Sequence, residues 1–137
     1  MQNKIIRFIL DLDPRSHIGS DKFKKVNMLP VEYRVKQLKL NHTFKIFNNQ
    51  GPKYLQEHFK TIKDNPINIS TRASKNNFFK PSVKGQAINT FYFSAIKEWN
   101  SLPSKIKEIS NFISFKSAVK NHLETELINK ELNPYVY

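Results

Sequence analysis

The stretch NTFYFSAIKEWNSLPSKIKEISNFISFKSAVKNHL, residues 89–123, decides the fold because it carries the clearest helical pattern in the chain. Its first part has apolar side chains at three- and four-residue spacing, which places them on one side of a helix over residues 90–101. These side chains are Tyr92, Ala95, Ile96, Trp99 and Leu102. Asn89 or Thr90 is the expected N-cap, because a short polar side chain accepts from the free N–H groups of the first turn.

Two further helices are expected after Trp99. Pro103 has no amide hydrogen and fits the first turn of a short helix, Ser104 to Ile109. Ser114 is predicted to cap a helix over residues 114–128, with Ile113 and Ala118 packed across its start. The buried stripe of this last helix consists of Phe115, Val119, Leu123 and Leu127. The whole stretch is interpreted as a helical hairpin with an aromatic core, and it contains no nucleophile, metal cage or phosphate loop.

Upstream of residue 60, the sequence predicts helices separated by prolines. The first has an apolar stripe and ends before Pro14; the stripe is Ile5, Ile6, Ile9 and Leu10. The longest covers residues 31–48, with Gly51 and Pro52 as stop signals. Its expected inner side is Val31, Val35, Leu38 and Ile46, widened by Leu40, Phe44 and Phe47. Pro52 begins a short helix whose Tyr54, Leu55 and Phe59 are expected to pack back on the long one.

Between these regions the helical period is lost. Residues 62–88 are rich in Asn and Ser, and Ile67, Ile69 and Thr71 alternate as in a short strand. Phe78-Phe79 suggests a second extended piece, so the segment is predicted to be a basic, partly extended insertion with a possible β-hairpin. The fold is therefore predicted to be mainly α, with five or six helices. The chain divides into a helical part (1–60), the insertion (61–88) and the C-terminal hairpin (89–137), as one compact unit or a fragment of a larger protein.

The charge of the chain is strongly positive and unevenly placed. The 137 residues contain 23 Lys and Arg against 11 Asp and Glu, a net charge of +12. Residues 1–86 hold 17 of these cations against 6 acids, whereas residues 87–137 hold 6 against 5. Such a field favours nucleic acid or an acidic membrane surface, and it also serves solubility.

Placement and charge select two sets of residues. The expected contacts with a nucleic-acid backbone are Arg34, Lys36, Lys39, Arg72, Lys75, Lys80 and Lys84. The expected structural core is Phe44, Phe47, Tyr92, Ile96, Trp99, Leu102, Phe115, Val119 and Leu123. An irregular basic segment with interleaved aromatics is a plausible surface for tracking a nucleic-acid backbone, and a loop ordered only by its apolar anchors is the alternative.

Other classes of site are disfavoured. The absence of cysteine excludes disulfides and thiolate metal sites. Asp11 and Asp13 could hold a divalent cation, but no third acidic ligand follows, and turn-forming aspartates before a proline are commoner. His42 has no second ligand at metal spacing. With no signal peptide or membrane span recognised, a soluble intracellular protein is expected, and the start within an amphipathic helix suggests a chain cut from something longer.

Six pieces, in order, carry a resemblance that covers roughly residues 2–124. They are QNKIIRFILDL (2–12), LPVEYRVKQLKLNHTFKIFN (29–48), GPKYL (51–55), TRAS (71–74), WNSLPSKI (99–106) and FKSAVKNHL (115–123). Together they are similar to the segment that follows the catalytic core in reverse transcriptases of Jockey-like non-LTR retrotransposons. The WNSLP piece with Phe115-Lys116 downstream is the most specific.

The resemblance implies a parent RNA-directed DNA polymerase of a mobile element, of which this chain is the thumb-side and C-terminal part. Polymerases need clustered aspartates to hold two divalent cations, and this sequence has only 4 Asp and no Asp-Asp pair. The cations would belong to a catalytic core outside this sequence, so the isolated chain is expected to be no enzyme and to need no cofactor. The expected partners are RNA, DNA or their hybrid and that upstream core, with no membrane. The alternative function is a structural module in which the aromatic hairpin docks on the polymerase core and stabilises it.

Overall fold

The structure, a computed structural model, describes residues 1–64, 75–82 and 84–133. It is mainly helical, as predicted, and the described residues contain no β-strand. The described residues form seven α-helices: α1 (Gln2–Ile9), α2 (Ser20–Lys25), α3 (Val31–Phe47), α4 (Lys53–His58), α5 (Phe91–Ser101), α6 (Ser104–Lys107) and α7 (Phe112–Leu132). Two 3-10 helices cover Ile62–Asp64 and Gly85–Asn89. The chain forms two compact units, one of Met1–Gln37 with Lys120–Tyr137 and one of Leu38–Val119, so α3 and α7 each contribute to both.

The first unit has a small, mainly aliphatic core. Ile6, Ile18 and Phe23 are buried at its centre, and half-buried side chains pack around them. Gln2 ties α1 to the start of α3 by donating to the Leu29 carbonyl at 2.8 Å and accepting from Val31 N. Glu131 accepts from the backbone N–H of Ser20 at 2.9 Å, which joins α2 to the end of α7.

The second unit is built around aromatic rings. Trp99 is completely buried, and its ring centroid lies 5.1 Å from that of Phe47 and 5.8 Å from that of Phe115. Phe115 in turn stacks on Phe44 at 4.3 Å. Phe78 reaches the same cluster from the irregular segment, 5.7 Å from Trp99. Because each ring buries a large apolar area, this cluster supplies most of the unit's hydrophobic stabilisation.

Two helices begin at a side chain that accepts hydrogen bonds from the first turn, and one of the two predicted caps is corrected. Thr90 caps α5, as predicted, by accepting from Phe93 N. The predicted cap of α7, Ser114, is wrong: Asn111 accepts from the N–H groups of Ile113 and Ser114 at 2.9 and 3.1 Å. The helix therefore begins two residues earlier than predicted, and Ile113 is 78% exposed rather than packed on Ala118.

The inward face of α3 also differs from the prediction. Val31, Val35 and Leu38 are 62%, 44% and 43% exposed. The buried side chains instead follow a neighbouring face of the helix, and they are Tyr33, Gln37, Leu40, Asn41, Thr43, Phe44 and Ile46. The apolar side chains of α3 are distributed around the whole circumference of the helix, so their spacing alone does not predict which face is buried. Two of the polar members are hydrogen-bonded: Thr43 Oγ1 donates to the Lys39 carbonyl at 2.8 Å, and Gln37 Oε1 accepts from Arg34.

The shorter elements bring smaller corrections. In α1 only Ile6 is fully buried, while Ile5 and Ile9 are exposed despite their place in the predicted stripe. Tyr54 of α4 is 65% exposed and does not pack back on α3. The α6 helix ends at Lys107 instead of Ile109. The predicted strand at 67–71 lies outside the described residues.

Candidate nucleic-acid interface

The irregular segment begins and ends at one short antiparallel contact. Thr61 and Phe78 form an isolated β-bridge. Ile62 N donates to the Asn77 carbonyl at 3.0 Å, and Phe79 N donates to the Lys60 carbonyl at 2.8 Å. In this register Lys60 lies opposite Phe79, and their side chains share the face of the bridge that points away from the buried Phe78.

Side chains of the WNSLP region hold the second strand of this bridge in place. Trp99 Nε1 donates to the Asn76 carbonyl at 2.9 Å. The Asn100 amide accepts from Phe78 N and donates to the Phe78 carbonyl, both at 2.9 Å, and so acts like a neighbouring strand. The sequence motif therefore has an identified structural role, which is to fix residues 76–78 against α5.

Lys107 completes this arrangement from α6. Its ammonium group is buried and donates to Asn77 Oδ1 at 2.7 Å and to the Asn100 carbonyl at 3.0 Å. Burial lowers the pKa of Lys107, because removal from water disfavours the charged form. The two hydrogen bonds offset part of that cost and tie α6 to the irregular segment.

Four exposed lysines lie within three residues of the bridged pair Thr61 and Phe78, and we name them with Phe79 the bridge-lysine surface. They are Lys60, Lys63, Lys75 and Lys80. Within the described residues none of them forms an ion pair. The single acid in these segments, Asp64, accepts from the N–H and hydroxyl groups of Thr61. Phe79 is 55% exposed, so an aromatic ring lies among these cations.

The seven predicted backbone contacts are not brought together as one set. Lys75 and Lys80 belong to the bridge-lysine surface, and Lys84 is exposed just before the second 3-10 helix. Lys36 and Lys39 instead pair with Glu126 at 2.8 Å and Glu98 at 3.4 Å. Arg34 donates to Gln37, and Arg72 lies outside the described residues. Ion pairing makes Lys36 and Lys39 poorer candidates, because a phosphate would have to displace a carboxylate.

Two members of the surface, Lys60 and Lys63, were missing from the prediction. Lys60 precedes the irregular segment and Lys63 lies near its start, and both reach Lys75 and Lys80 only through the bridge. The sequence does show positive charge on both sides of the irregular segment, which could have indicated Lys60 and Lys63. It does not show that the two ends of the segment pair. Pairing over this separation depends on Trp99 and Asn100, which lie 23 and 22 residues from their partners.

The predicted core residues lie where packing requires them. Those that are buried are Phe44, Ile96, Trp99, Leu102, Phe115, Val119 and Leu123. Phe47 and Tyr92 are half-buried; the Tyr92 ring lies 5.0 Å from Phe59, and its hydroxyl donates to the His58 carbonyl at 2.9 Å. Burial also raises the pKa of Tyr92, because the phenolate is the form that loses solvation.

The charge is concentrated in the second unit. Residues 38–119 contain 13 Lys and Arg against 4 Asp and Glu, a net of +9, whereas the rest of the chain contains 10 against 7. The bridge-lysine surface lies in the unit with the higher charge. Its field therefore adds to that of the remaining cations of the unit and attracts polyanions.

No metal site accompanies these cations in the part of the chain that the structure describes, where no group of three or more His, Asp or Glu could hold an ion. Asp13 accepts from Arg15 N at 2.8 Å, which is the contact of a turn-forming aspartate. Within the same ranges, no helix has the length and apolar character to cross a bilayer. Comparison with protein-family models, curated proteins and solved structures found no match.

Proposed function

We propose that this chain is a non-catalytic nucleic-acid-binding region of a retrotransposon reverse transcriptase, the segment that follows the catalytic core. It contacts the sugar–phosphate backbone of RNA, DNA or their hybrid without reading bases. The ordered pieces from QNKIIRFILDL to FKSAVKNHL support the parentage, and the bridge-lysine surface supports the binding. DNA synthesis and its divalent cations belong to the core outside this sequence, so the isolated chain is no enzyme.

The observation that carries the proposal is the grouping of Lys60, Lys63, Lys75 and Lys80 around one short bridge. The bridge brings the two backbone segments that carry these lysines to about 5 Å from each other, so their positive fields add. Binding of a phosphate backbone releases condensed counterions, which gives affinity without base contacts. The exposed Phe79 ring offers a stacking surface beside the cations.

The direct test measures binding of a labelled RNA–DNA hybrid by fluorescence anisotropy over a range of salt concentrations. The quadruple variant K60Q/K63Q/K75Q/K80Q is expected to bind more weakly and to reduce the slope of log K against log salt by about 3. The matched control replaces four exposed lysines elsewhere in the same unit, at Lys53, Lys97, Lys105 and Lys116. Equal losses in both quadruple variants would show that only net charge matters and would contradict the proposed surface.

A second variant tests the bridge without changing charge. Asn100→Ala removes both hydrogen bonds to Phe78 and is expected to weaken binding, because the lysines on the second strand lose their fixed position. Asn129→Ala, on the exposed side of α7, is the control. Circular dichroism of both proteins shows whether the fold is retained. A folded N100A protein with unchanged affinity would contradict the role assigned to the bridge.

In the alternative function, docking on a polymerase core, the contact surface would differ from the aromatic hairpin that the sequence suggested. Ile96, Trp99, Phe115 and Val119 are buried within this chain and are not available to a partner. Val31 and Val35, in contrast, are exposed on α3 and would serve such contact. If docking is the main function, V31S/V35S abolishes binding to a reverse-transcriptase core in a pull-down experiment and leaves the affinity for nucleic acid unchanged.

A further inference from the structure

A cleft of about 410 Å³ opens beside α1 in the first unit, apart from the bridge-lysine surface in sequence. Its lining residues are Lys4, Arg7, Phe8, Asp11, Leu12 and Pro14. The volume falls within the range of about 300–1,000 Å³ that is usual for small-molecule sites. Half of the lining side chains are charged, which is unusual for a surface that docks an apolar protein segment, because such docking would remove these charges from water.

The cleft combines one open aromatic ring with two cations on a single helical face. Lys4, Arg7 and Phe8 recur at three- and four-residue spacing, so they are neighbours along α1, and Asp11 follows the end of the helix. The Phe8 ring is 87% exposed, which leaves its face free for a ligand. Lys4 and Arg7 lie toward the start of this row, and the carboxylate of Asp11 lies at its end.

The walls of the cleft are fixed by the local backbone. Arg7 Nε donates to the Ser16 carbonyl at 3.0 Å, which orients the guanidinium group. Leu12 N donates to the Arg7 carbonyl at 2.9 Å and Asp11 N to the Phe8 carbonyl at 3.3 Å, so the helix ends in a Schellman motif. Asp11 occupies its left-handed position with φ of 50°. The cleft is therefore formed before any ligand arrives.

We infer that this cleft binds one base of a single-stranded nucleic acid, stacked on Phe8, with the adjoining phosphates on Lys4 and Arg7. The inference rests on the proposed function, since it names a second contact for the same class of ligand. Any base can stack on the ring, so the site is tolerant of sequence. Arg7 offers a planar fork that suits phosphate oxygens, and Asp11 repels phosphate and so directs the backbone toward Lys4.

The experiment compares a single-stranded oligothymidylate with an abasic oligonucleotide of the same length and charge. The wild-type chain is expected to bind the base-containing strand about 5- to 100-fold more tightly, the range that stacking of one base provides. Phe8→Ala is expected to reduce this preference to the part that stacking on Phe79 supplies, without changing the salt dependence, since no charge is lost. Ile9→Ala is the matched control, because Ile9 is an exposed apolar residue of α1 that does not line the cleft.

A spectroscopic variant reports on stacking directly. Trp99 is buried, so Phe8→Trp introduces the one exposed indole, and its fluorescence is expected to fall when oligothymidylate binds. Equal wild-type affinities for the two strands, or an F8W signal that oligothymidylate does not change, would overturn the inference while the bridge-lysine variants still test the proposed function. Failure of the wild-type chain to bind either strand would overturn the inference, and failure to bind the RNA–DNA hybrid as well would overturn the proposed function.

Discussion

The two compact units differ in how they are stabilised and in the charge they carry. The first buries a few mainly aliphatic side chains around Ile6, Ile18 and Phe23. The second buries Trp99 among several phenylalanines and carries a net charge of +9 over residues 38–119. Repulsion among like charges destabilises a compact state, so the more charged unit needs the larger apolar burial. The aromatic cluster thus allows lysines to be concentrated where they are useful for binding.

In the second unit, side chains of α5 and α6 converge on one short segment, residues 76–78. Trp99, Asn100 and Lys107 use side-chain atoms to hold residues 76–78 in place. The same residues therefore serve both the core and the bridge-lysine surface. Loss of core packing in this unit is expected to cost binding as well as stability.

The largest expected effect comes from removal of the tryptophan. Trp99→Ala leaves a cavity among the rings of Phe47, Phe78 and Phe115 and removes the hydrogen bond to the Asn76 carbonyl. The free energy of unfolding is therefore expected to fall by about 3–5 kcal/mol. Phe23→Ala, in the first unit, removes a smaller ring and is expected to cost less. Urea denaturation followed by circular dichroism measures both. An unchanged midpoint for W99A would show that the aromatic cluster is not the main source of stability.

A smaller loss is expected at the buried lysine. Lys107→Met leaves Asn77 Oδ1 and the Asn100 carbonyl without their donor, at a cost of about 1–3 kcal/mol. The pKa of Lys107 is lowered from its ordinary value of 10.5, so the unfolded chain binds more protons at this group as the pH approaches 10.5. The stability of the wild-type chain relative to K107M should therefore rise with pH up to that value.

Denaturation at a series of alkaline pH values tests the sign of this effect. The raised pKa of Tyr92 acts in the opposite direction above its ordinary value of 10.0, because the folded chain retains that proton longer. Tyr92 is present in both proteins, so its contribution cancels in the difference between them. The free energy of unfolding of the wild-type chain minus that of K107M is the quantity to follow. If it falls as the pH rises toward 10.5, the burial of a charged Lys107 is contradicted.

Local signals in the sequence were sufficient for the helices but not for the contacts between distant segments. Thr90 before α5 and Gly51 and Pro52 after α3 are signals that act within a few residues, and the limits of α3 and α5 were predicted within a residue or so. The inward face of α3 was predicted wrongly because its apolar residues lie on all sides. The hydrogen bonds of Trp99 and Lys107 to residues 76 and 77 span more than 20 residues, and no period or motif signals them.

The N-cap of α7 is Asn111, a residue of the second unit, and its replacement tests contacts within a single helical turn. Asn111→Ala is expected to lower the free energy of unfolding by about 1 kcal/mol, because two N–H groups lose their acceptor. Ser114→Ala, at the position first predicted to be the cap, is expected to have almost no effect. Thermal melting of the two variants side by side measures the difference. A larger loss for S114A would restore the original assignment.

The smallest expected effect compares equivalent helix ends in the two units. Asn27 and Asn49 both follow a helix with positive φ, 55° and 57°, where glycine avoids the steric cost of a Cβ atom. Asn49→Gly is therefore expected to raise the free energy of unfolding by less than about 1 kcal/mol. Asn27→Gly should gain less or become destabilising, because Asn27 Oδ1 accepts a hydrogen bond from Lys120 that glycine cannot replace. Equal gains in melting temperature for N27G and N49G would show that the hydrogen bond from Lys120 contributes nothing to stability. That is the expected limit for an exposed contact with a flexible lysine.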